Sequence, residues 1–328
     1  MARLLLQGRG VLVTGAAGGI GAAVARRLVR AGARPVLLDL TGERLDAVAA
    51  ELGPAAVPAP ADVRDRDQVV AAVDAACEVT GGLIGAVIGA GLVRPETLVA
   101  QTEADARNVV DVNFYGTLWA FQAAMPHIDR QGGHALALSS IAGIAPIPLS
   151  GVYPATKAAV DSIVATVRTE AMNRPSSAGV VYLSAVDTQM NRDVQSDARA
   201  ARAAQHSVAF LTRAITADAV AKRIVRALER RSRVVTAPRW LAPSVWPQTL
   251  TRAIAEWFMG HTALREELPG GRESAQALTE RAGTRGAPER DGGGPDGDDG
   301  LGDRDPDDLV ARSEHRTTDP VDDGSGAA

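Results

Sequence analysis

Cysteine, aromatic residues and clustered histidines are scarce in this 328-residue sequence. Cys77 is the single cysteine, so the chain can form no internal disulfide, which fits a reducing cytoplasm. The five histidines are scattered without ligand spacing and no HExxH pattern occurs, which argues against metal catalysis. Because aromatic residues make up only 3% of the chain, aliphatic side chains and alanine must build the core.

Long apolar runs are also missing. No stretch reaches the roughly 18 apolar residues of a membrane-spanning helix, and the N-terminal MARLLLQGRGVLVTG lacks the features of a secretory signal. We therefore expect a cytoplasmic protein. The net charge is −4, but residues 265–328 carry 17 acidic and 8 basic residues, so the rest of the chain is mildly basic. Its basic residues are dispersed along predicted helices, which argues against a nucleic-acid partner.

A glycine-rich turn lies between a predicted strand and a predicted helix near the N-terminus. The strand is Val11–Thr14, a short β-branched run, and apolar positions at a helical period follow the turn. Gly15, Gly19 and Gly21 give the spacing GxxxGxG. A dinucleotide pyrophosphate needs exposed backbone N–H groups at a helix N-terminus, and a Cβ in the turn would hold it away. The pattern predicts a dinucleotide site, although an ordinary strand–turn–helix would also explain it.

An acidic residue, Asp39, ends the second predicted strand, 18 residues after Gly21. A carboxylate at this point can accept both adenosine ribose hydroxyls, and it would repel a 2′-phosphate. Leu40 follows, so no arginine stands next to Asp39 to receive that phosphate. We therefore expect NAD(H) in preference to NADP(H).

Predicted strands and helices alternate along the chain. The alternation predicts an α/β fold, with a doubly wound, Rossmann-type parallel sheet in a single three-layer α/β/α domain. Ligands of such a sheet lie at the carboxyl ends of its strands. Beyond the first, the predicted strands are 35–39, 55–59, 84–88, 133–139, 179–183 and 233–237. Candidate site residues fall at these ends: Gly15, Asp39, Asp62, Gly89, Ser140 and Thr188.

Composition divides the chain into three predicted parts. Residues 1–262 form the predicted catalytic domain, in which a long helix over 103–128 carries Asn113. Residues 263–282 are expected to add a short helical extension. Residues 283–328 are rich in glycine, aspartate and proline and nearly lack large apolar groups, so we expect a disordered acidic tail.

The segment SIAGIAPIPLSGVYPATK spaces three polar side chains in a way that suits proton transfer. On a helix predicted over 152–173, Tyr153 and Lys157 are one turn apart and share a face. A phenol has a pKa of about 10, and a nearby ammonium favours the phenolate and lowers that pKa. The Ser140 hydroxyl can hold a carbonyl or alcohol oxygen beside the phenol.

Taken in order, these residues resemble the short-chain dehydrogenase/reductase family in its single-domain form, over roughly residues 8–240. The YxxxK pair alone is common by chance, but the ordered set is specific. The matching motifs are the TGxxxGxG turn from Thr14 to Gly21, Asp39, the Asp62-Val63 pair, Asn113, Ser140, Tyr153 and Lys157. The resemblance implies an NAD(P)-dependent oxidoreductase that acts on CH–OH groups, with a secondary alcohol or ketone as its substrate.

The resemblance also implies a role for each matching residue. Tyr153 would be the general acid/base, Lys157 would lower its pKa, and Ser140 would orient the substrate oxygen. Asn113 would hold a water that links Lys157 to solvent, and Thr188 would contact the nicotinamide carboxamide. The implied cofactor-binding residues are Gly15, Gly19, Ile20, Gly21, Asp39, Asp62, Val63, Gly89, Tyr153, Lys157 and Thr188.

Two segments depart from the family pattern. After the fourth strand the usual NNAG is replaced by IGAG over residues 88–91, so both asparagines are missing. After the sixth strand the usual Pro-Gly is replaced by Ser184-Ala185, which could loosen the nicotinamide loop. These departures motivate an alternative function, an NAD-binding regulatory or scaffold protein with little turnover, whereas the intact catalytic set argues against it.

Three interpretations stay open at this stage. Asp62 either contacts the adenine or caps the helix that follows it. The arginines of residues 190–215 either receive an acidic substrate or form a solvated face. The aromatic stretch 240–258 covers the active site or packs on another subunit, in preference to touching a membrane. By family resemblance we also expect a homodimer or homotetramer.

Overall fold

The computed structural model describes residues 3–145, 147–196 and 214–245, and its centre is a seven-stranded sheet. The strands lie in the order β3-β2-β1-β4-β5-β6-β9, and every neighbouring pair is parallel. They are β1 (Gly10–Thr14), β2 (Arg34–Asp39), β3 (Val57–Pro60), β4 (Leu83–Ile88), β5 (His134–Ser140), β6 (Ser177–Leu183) and β9 (Val234–Ala237). The strand order reverses between β1 and β4, the place where a doubly wound sheet binds ligands.

Helices cover both faces of this sheet. They are α1 (Gly19–Arg30), α2 (Glu43–Leu52), α3 (Arg66–Thr80), α4 (Glu103–Val110), α5 (Gly116–Gln131), α6 (Tyr153–Glu170), α7 (Gln189–Ser196), α8 (Ala217–Glu229) and α9 (Ala242–Val245). A separate two-stranded ladder pairs β7 (Val186–Asp187) with β8 (Ile215–Thr216). The predicted three-layer α/β/α fold is confirmed.

Two apolar cores lie on opposite sides of the sheet. On one side Leu28 of α1 and Ile224 of α8 pack against the strands. On the other side Val69, Phe121 and Val160, from α3, α5 and α6, form the second core. Both cores consist almost wholly of valine, leucine, isoleucine and alanine, as the low aromatic content predicts.

The seven predicted strands are present, with ends that differ by at most two residues. The single long helix expected over 103–128 is wrong, because a π-helical turn at Asp111–Tyr115 separates α4 from α5. The turn inserts one extra residue into the hydrogen-bond ladder and holds the buried Asn113. The helix expected over 152–173 ends earlier, at Glu170.

Several predictions concern segments outside the described residues. These are the domain limits at 262, the extension 263–282, the tail 283–328, the aromatic stretch beyond residue 245 and most of the arginine-rich segment 190–215. Within the described ranges, no helix combines the length and the apolar character needed to cross a membrane.

Candidate active site

The turn between β1 and α1 is shaped by glycines that allow close approach of other backbone. Gly15 has a φ of +71° and lies against Ala90, where a Cβ would be 3.0 Å from the Ala90 Cα. A Cβ on Gly21 would overlap the Gly15 carbonyl oxygen, so only glycine lets the helix begin so close to the turn. A Cβ on Gly19 would lie 2.8 Å from the Thr188 Cγ2. The predicted phosphate turn therefore meets the loop after β6.

The N-terminus of α1 has the features of an anion site. Its N-cap, Gly18, has an extended backbone and carries no side chain that could occupy the first N–H groups. The first turn, which includes Ile20, contains no acidic residue. Free N–H groups and the positive end of the helix dipole both favour a phosphate at this position.

Asp39 lies beside this turn and fixes its shape. Its Oδ2 accepts a hydrogen bond from the Ala17 N–H at 2.8 Å, and its Oδ1 accepts one from the Leu40 N–H at 2.8 Å. Arg44, on the first turn of α2, donates from Nη2 to the Ala17 carbonyl oxygen at 3.1 Å. Sequence reasoning missed this arginine because it considered only the residue next to Asp39.

Asp62 does not cap α3, so that interpretation is wrong. The cap is Asp65, which accepts hydrogen bonds from the N–H groups of Asp67 and Gln68. Asp62 instead forms an ion pair with Arg64, with 2.5 Å between Oδ2 and Nη2, and this lowers the pKa of Asp62. Val63 follows at the carboxyl side of β3 and lies against Gly116, the first residue of α5.

Three of the predicted catalytic side chains lie together at the carboxyl end of β5. Tyr153 is the first residue of α6 and lies partly buried, with the Lys157 Nζ 5.7 Å from the centre of its ring. Lys157 is buried and donates from Nζ to the Leu138 carbonyl oxygen at 3.0 Å. Ser140 ends β5 and forms a hydrogen bond with Tyr153.

Burial dominates the protonation equilibria of this pair. It raises the pKa of Tyr153, and the hydrogen bond with Ser140 opposes that change. It also lowers the pKa of Lys157 to about 8. The pKa of Tyr153 is therefore raised, whereas the lysine charge alone would lower it, because loss of water penalises the phenolate.

Asn113 is held in the π-helical turn by four hydrogen bonds to protein. Its Nδ2 donates to the Leu92 carbonyl at 2.9 Å and to the Thr156 hydroxyl at 3.0 Å, and its Oδ1 accepts from the Leu92 N–H at 2.8 Å. Its main-chain carbonyl accepts from the Thr117 hydroxyl at 2.7 Å. Both amide hydrogens are thus used, so a water between Asn113 and Lys157 would have to bind an oxygen of Asn113.

Thr156 is a site residue that sequence reasoning missed. Its hydroxyl accepts from Asn113 and donates to the Tyr153 carbonyl at 2.7 Å, so it joins two predicted catalytic residues. The available signal was a threonine three residues after Tyr153, a spacing at which a hydroxyl often bonds back to the helix. Gly91 completes the cluster, because a Cβ there would be 3.3 Å from the Lys157 Nζ.

The IGAG segment is packed by a substitute for the missing side chain. A Cβ on Gly89 would lie 2.8 Å from the Leu138 Cδ1, so a leucine of β5 fills the space beside this glycine. The Thr14 hydroxyl accepts hydrogen bonds from the N–H groups of Gly89 and Ala90, at 3.0 and 3.1 Å. The segment is therefore tied to β1 without either asparagine.

The Ser184-Ala185 segment is also anchored. The Ser184 N–H, which a proline would lack, donates to the Ala237 carbonyl at 3.1 Å and extends the pairing of β6 with β9. The Ala185 carbonyl accepts from the Ile215 N–H at 3.1 Å. The loosening expected at the start of this loop is not observed. Thr188 follows and accepts a hydrogen bond from the Asn191 N–H.

The sequence matches a known family and several known proteins. The profile described as short chain dehydrogenase matches residues 9–199. An uncharacterized oxidoreductase of Staphylococcus epidermidis is 30% identical over 206 residues, which cover 62% of this chain and 90% of the relative. An uncharacterized oxidoreductase of Staphylococcus aureus is 35% identical over 154 residues, or 46% of this chain and 67% of the relative.

Solved structures with a similar fold include proteins with bound dinucleotides. A short-chain dehydrogenase from Burkholderia cenocepacia in complex with NADP is 30% identical, with a TM-score of 0.63, and covers 71% of this chain and 97% of its own. A short-chain dehydrogenase/reductase from Burkholderia phymatum in complex with NAD has a TM-score of 0.66 at 24% identity, and covers 74% and 93%. The second likeness shows the fold alone.

Proposed function

Because this chain belongs to the short-chain dehydrogenase/reductase family of oxidoreductases, we propose that it moves a hydride between NAD(H) and a secondary alcohol or ketone. The observation that carries the proposal is the cluster of Ser140, Tyr153 and Lys157, which lies at the same edge of the sheet as the glycine turn. Such a cluster can move a proton to or from an oxygen, and it lies where a doubly wound sheet binds its ligand.

The residues present fit a nicotinamide dinucleotide. Gly15 and Gly21 let the turn pack closely on itself and on Ala90, and α1 presents free N–H groups to a pyrophosphate. When bound, the cofactor supplies or accepts the hydride. Asp39 would hold the adenosine ribose, Asp62 and Val63 would lie toward the adenine, and Thr188, which contacts Gly19, would hold the carboxamide.

Tyr153 acts as the general acid/base in this proposal. Its raised pKa keeps the phenol protonated near neutral pH, which suits proton donation to the oxygen of a ketone as it becomes an alcohol. Ser140 orients that oxygen. Lys157, one turn along α6, supplies a positive charge that stabilises the phenolate left after the transfer. Asn113 and Thr156 hold the start of α6 in place.

The regulatory or scaffold alternative has less support. It was motivated by the IGAG and Ser184-Ala185 segments, and both are anchored by hydrogen bonds and packing. To test turnover directly, purified protein is mixed with NAD and a panel of secondary alcohols, and NADH is followed by its absorbance. The proposal expects NADH with at least one alcohol, whereas tight NAD binding without turnover across the panel would favour the alternative.

Cofactor preference gives a separate prediction. We expect the chain to bind NAD more tightly than NADP, because the Asp39 carboxylate repels a 2′-phosphate. We expect Asp39→Asn to reduce the ratio of the NADP and NAD dissociation constants by at least about fivefold. The measurement is calorimetric titration of both dinucleotides, with the exposed Asp46→Asn on α2 as the matched control. Equal affinities in the unmodified protein, or an unchanged ratio in Asp39→Asn, would contradict it.

Arg44 is a nearby cation that could receive a 2′-phosphate, since it donates to the Ala17 carbonyl while Asp39 accepts from the Ala17 N–H, so the titration weighs the two residues against each other. A cytoplasmic location and assembly as a homodimer or homotetramer stay predictions from the sequence.

A further inference from the structure

Two loops meet at the start of the helix that carries Tyr153. One is the connection 89–102 between β4 and α4, and the other is the connection 144–152 that leads into α6. Hydrogen bonds between described residues of the two connections join them. The Gly151 N–H donates to the Glu96 carbonyl at 2.8 Å, and the Val152 N–H donates to the Gln101 Oε1 at 2.9 Å.

The second of these bonds caps α6 from outside the helix. Val152 is the N-cap residue, and its own side chain cannot accept a hydrogen bond. In a capping box a Glu or Gln of the first turn accepts from the N-cap N–H. Gln101 acts as this acceptor although it lies on a different loop. Its side-chain oxygen Oε1 holds Val152, the residue directly before Tyr153.

The Gln101 carboxamide has one orientation in this contact. Gly151 has a φ of +50°, and a Cβ on it would overlap both the oxygen and the nitrogen of the Gln101 amide. The carboxamide therefore lies flat on the Gly151 backbone. Because Oε1 must face the Val152 N–H, Nε2 must point away from it.

The Gln101 Nε2 is buried and has no hydrogen-bond acceptor within the described part of the chain. Leaving such a donor unsatisfied costs about 1–3 kcal/mol, and native proteins rarely retain one without a reason. Gln101 lies near the end of the connection 89–102, and Gly91 and Leu92, near its start, contact Lys157 and Asn113. The Asn113 amide therefore binds this loop near its start, and the Gln101 amide near its end binds the residue directly before Tyr153.

On the basis of the proposed function, we propose that Gln101 has two roles. Its Oε1 positions Tyr153 through Val152. Its Nε2 donates a hydrogen bond to a second oxygen on the substrate, once the bound substrate has displaced the neighbouring groups that bury this nitrogen. The substrate class is then an alcohol or ketone with another carbonyl or hydroxyl oxygen close to the reacting carbon. A site built to hydrogen-bond such an oxygen discriminates strongly against compounds that lack it.

The test uses two variants and two substrates. Gln101→Glu keeps an acceptor for the Val152 N–H and loses the amide donor, and Gln101→Met loses both. The substrates are a β-diketone and the monoketone of the same chain length, each reduced with NADH. The exposed Leu98→Ala on the same loop is the matched control, and it should behave like the unmodified protein.

We expect the unmodified protein to prefer the diketone by at least about tenfold in kcat/KM, and Gln101→Glu to lose this preference mainly through KM. On the monoketone, kcat should fall at least about tenfold in Gln101→Met, because this variant removes the hydrogen bond that holds the start of α6. The kcat of Gln101→Glu should be close to that of the unmodified protein, because glutamate keeps this bond. A preference that survives in Gln101→Glu, or an unchanged kcat in Gln101→Met, would overturn the proposal.

A readout without turnover separates this proposal from the proposed function. The chain has three tyrosines, so the absorbance of the Tyr153 phenolate can be isolated as the difference from Tyr153→Phe. The pKa of Tyr153 should differ between Gln101→Met and the unmodified protein, whereas Leu98→Ala should leave that pKa unchanged. If neither ketone is turned over, the proposed function fails, and the phenolate titration still decides whether Gln101 positions Tyr153. An unchanged titration in Gln101→Met overturns that role.

Discussion

At the scale of single residues, burial decides the protonation of Tyr153 and Lys157. Lys157 is buried, donates to the Leu138 carbonyl, and has a pKa of about 8. The sequence indicates that Tyr153 and Lys157 share a helix face, and the structure agrees. It does not indicate how much water each side chain loses, so the direction of the Tyr153 pKa could not be predicted from the spacing.

A buried lysine should lower stability when it is charged. We expect Lys157→Met to raise the free energy of unfolding by about 3 kcal/mol at pH 7, because each pKa unit corresponds to about 1.4 kcal/mol. The gain should shrink as the pH rises from about 8 to 10.5, where the folded protein has already lost a proton that the unfolded chain still binds.

Urea unfolding at pH 7 and pH 10 measures this effect. Lys222, the other lysine of the chain, is exposed on α8 and provides the matched control Lys222→Met. A Lys157→Met variant that is no more stable than the unmodified protein at pH 7 would show that the buried lysine carries no such cost.

At the scale of elements, complementary packing explains how the chain tolerates its departures from the family. Gly89, which directly follows β4, lies beside Leu138 of β5, and the leucine fills the space beside the glycine. The sequence showed that the asparagine was missing, but the compensating residue lies 49 positions further on and is visible only in the folded sheet.

This pairing predicts a coupled pair of substitutions. Gly89→Asn should destabilise the protein by about 1–3 kcal/mol, because the new side chain overlaps Leu138. Leu138→Ala should also destabilise it, by leaving a cavity. The loss of unfolding free energy in the double variant should be smaller than the sum of the two single losses by at least about 1 kcal/mol, because the asparagine then fits into the space that Leu138 leaves. Additive losses in a double-mutant cycle of urea unfolding would rule the pairing out.

The local sequence pattern predicted the strands correctly and failed at the helix expected over 103–128. The β-branched runs and glycine turns located all seven strands, because each lies between residues that end regular structure. The break between α4 and α5 could not be predicted, because a π-helical turn keeps the apolar period of a helix and differs only in its hydrogen bonds.

At the scale of the whole molecule, the parallel sheet assembles the site. Gly15, Asp39, Gly89 and Ser140 are far apart in sequence and lie at one edge, because the carboxyl ends of parallel strands lie together. This convergence was predicted. The contacts between loops, such as Gly19 with Thr188 and Gln101 with Val152, were not, since no local pattern sets how two loops approach each other.

The central claim is that Tyr153 transfers the proton, while the glycine turn and Asp39 provide most of the binding of the cofactor. The most direct measurement compares the unmodified protein, Tyr153→Phe and the exposed control Tyr115→Phe, each for NAD affinity and for NADH formation from the best alcohol. We expect Tyr153→Phe to lower kcat at least about a thousandfold and to change the NAD dissociation constant by no more than about twofold. Turnover by Tyr153→Phe at the rate of the unmodified protein would contradict the account.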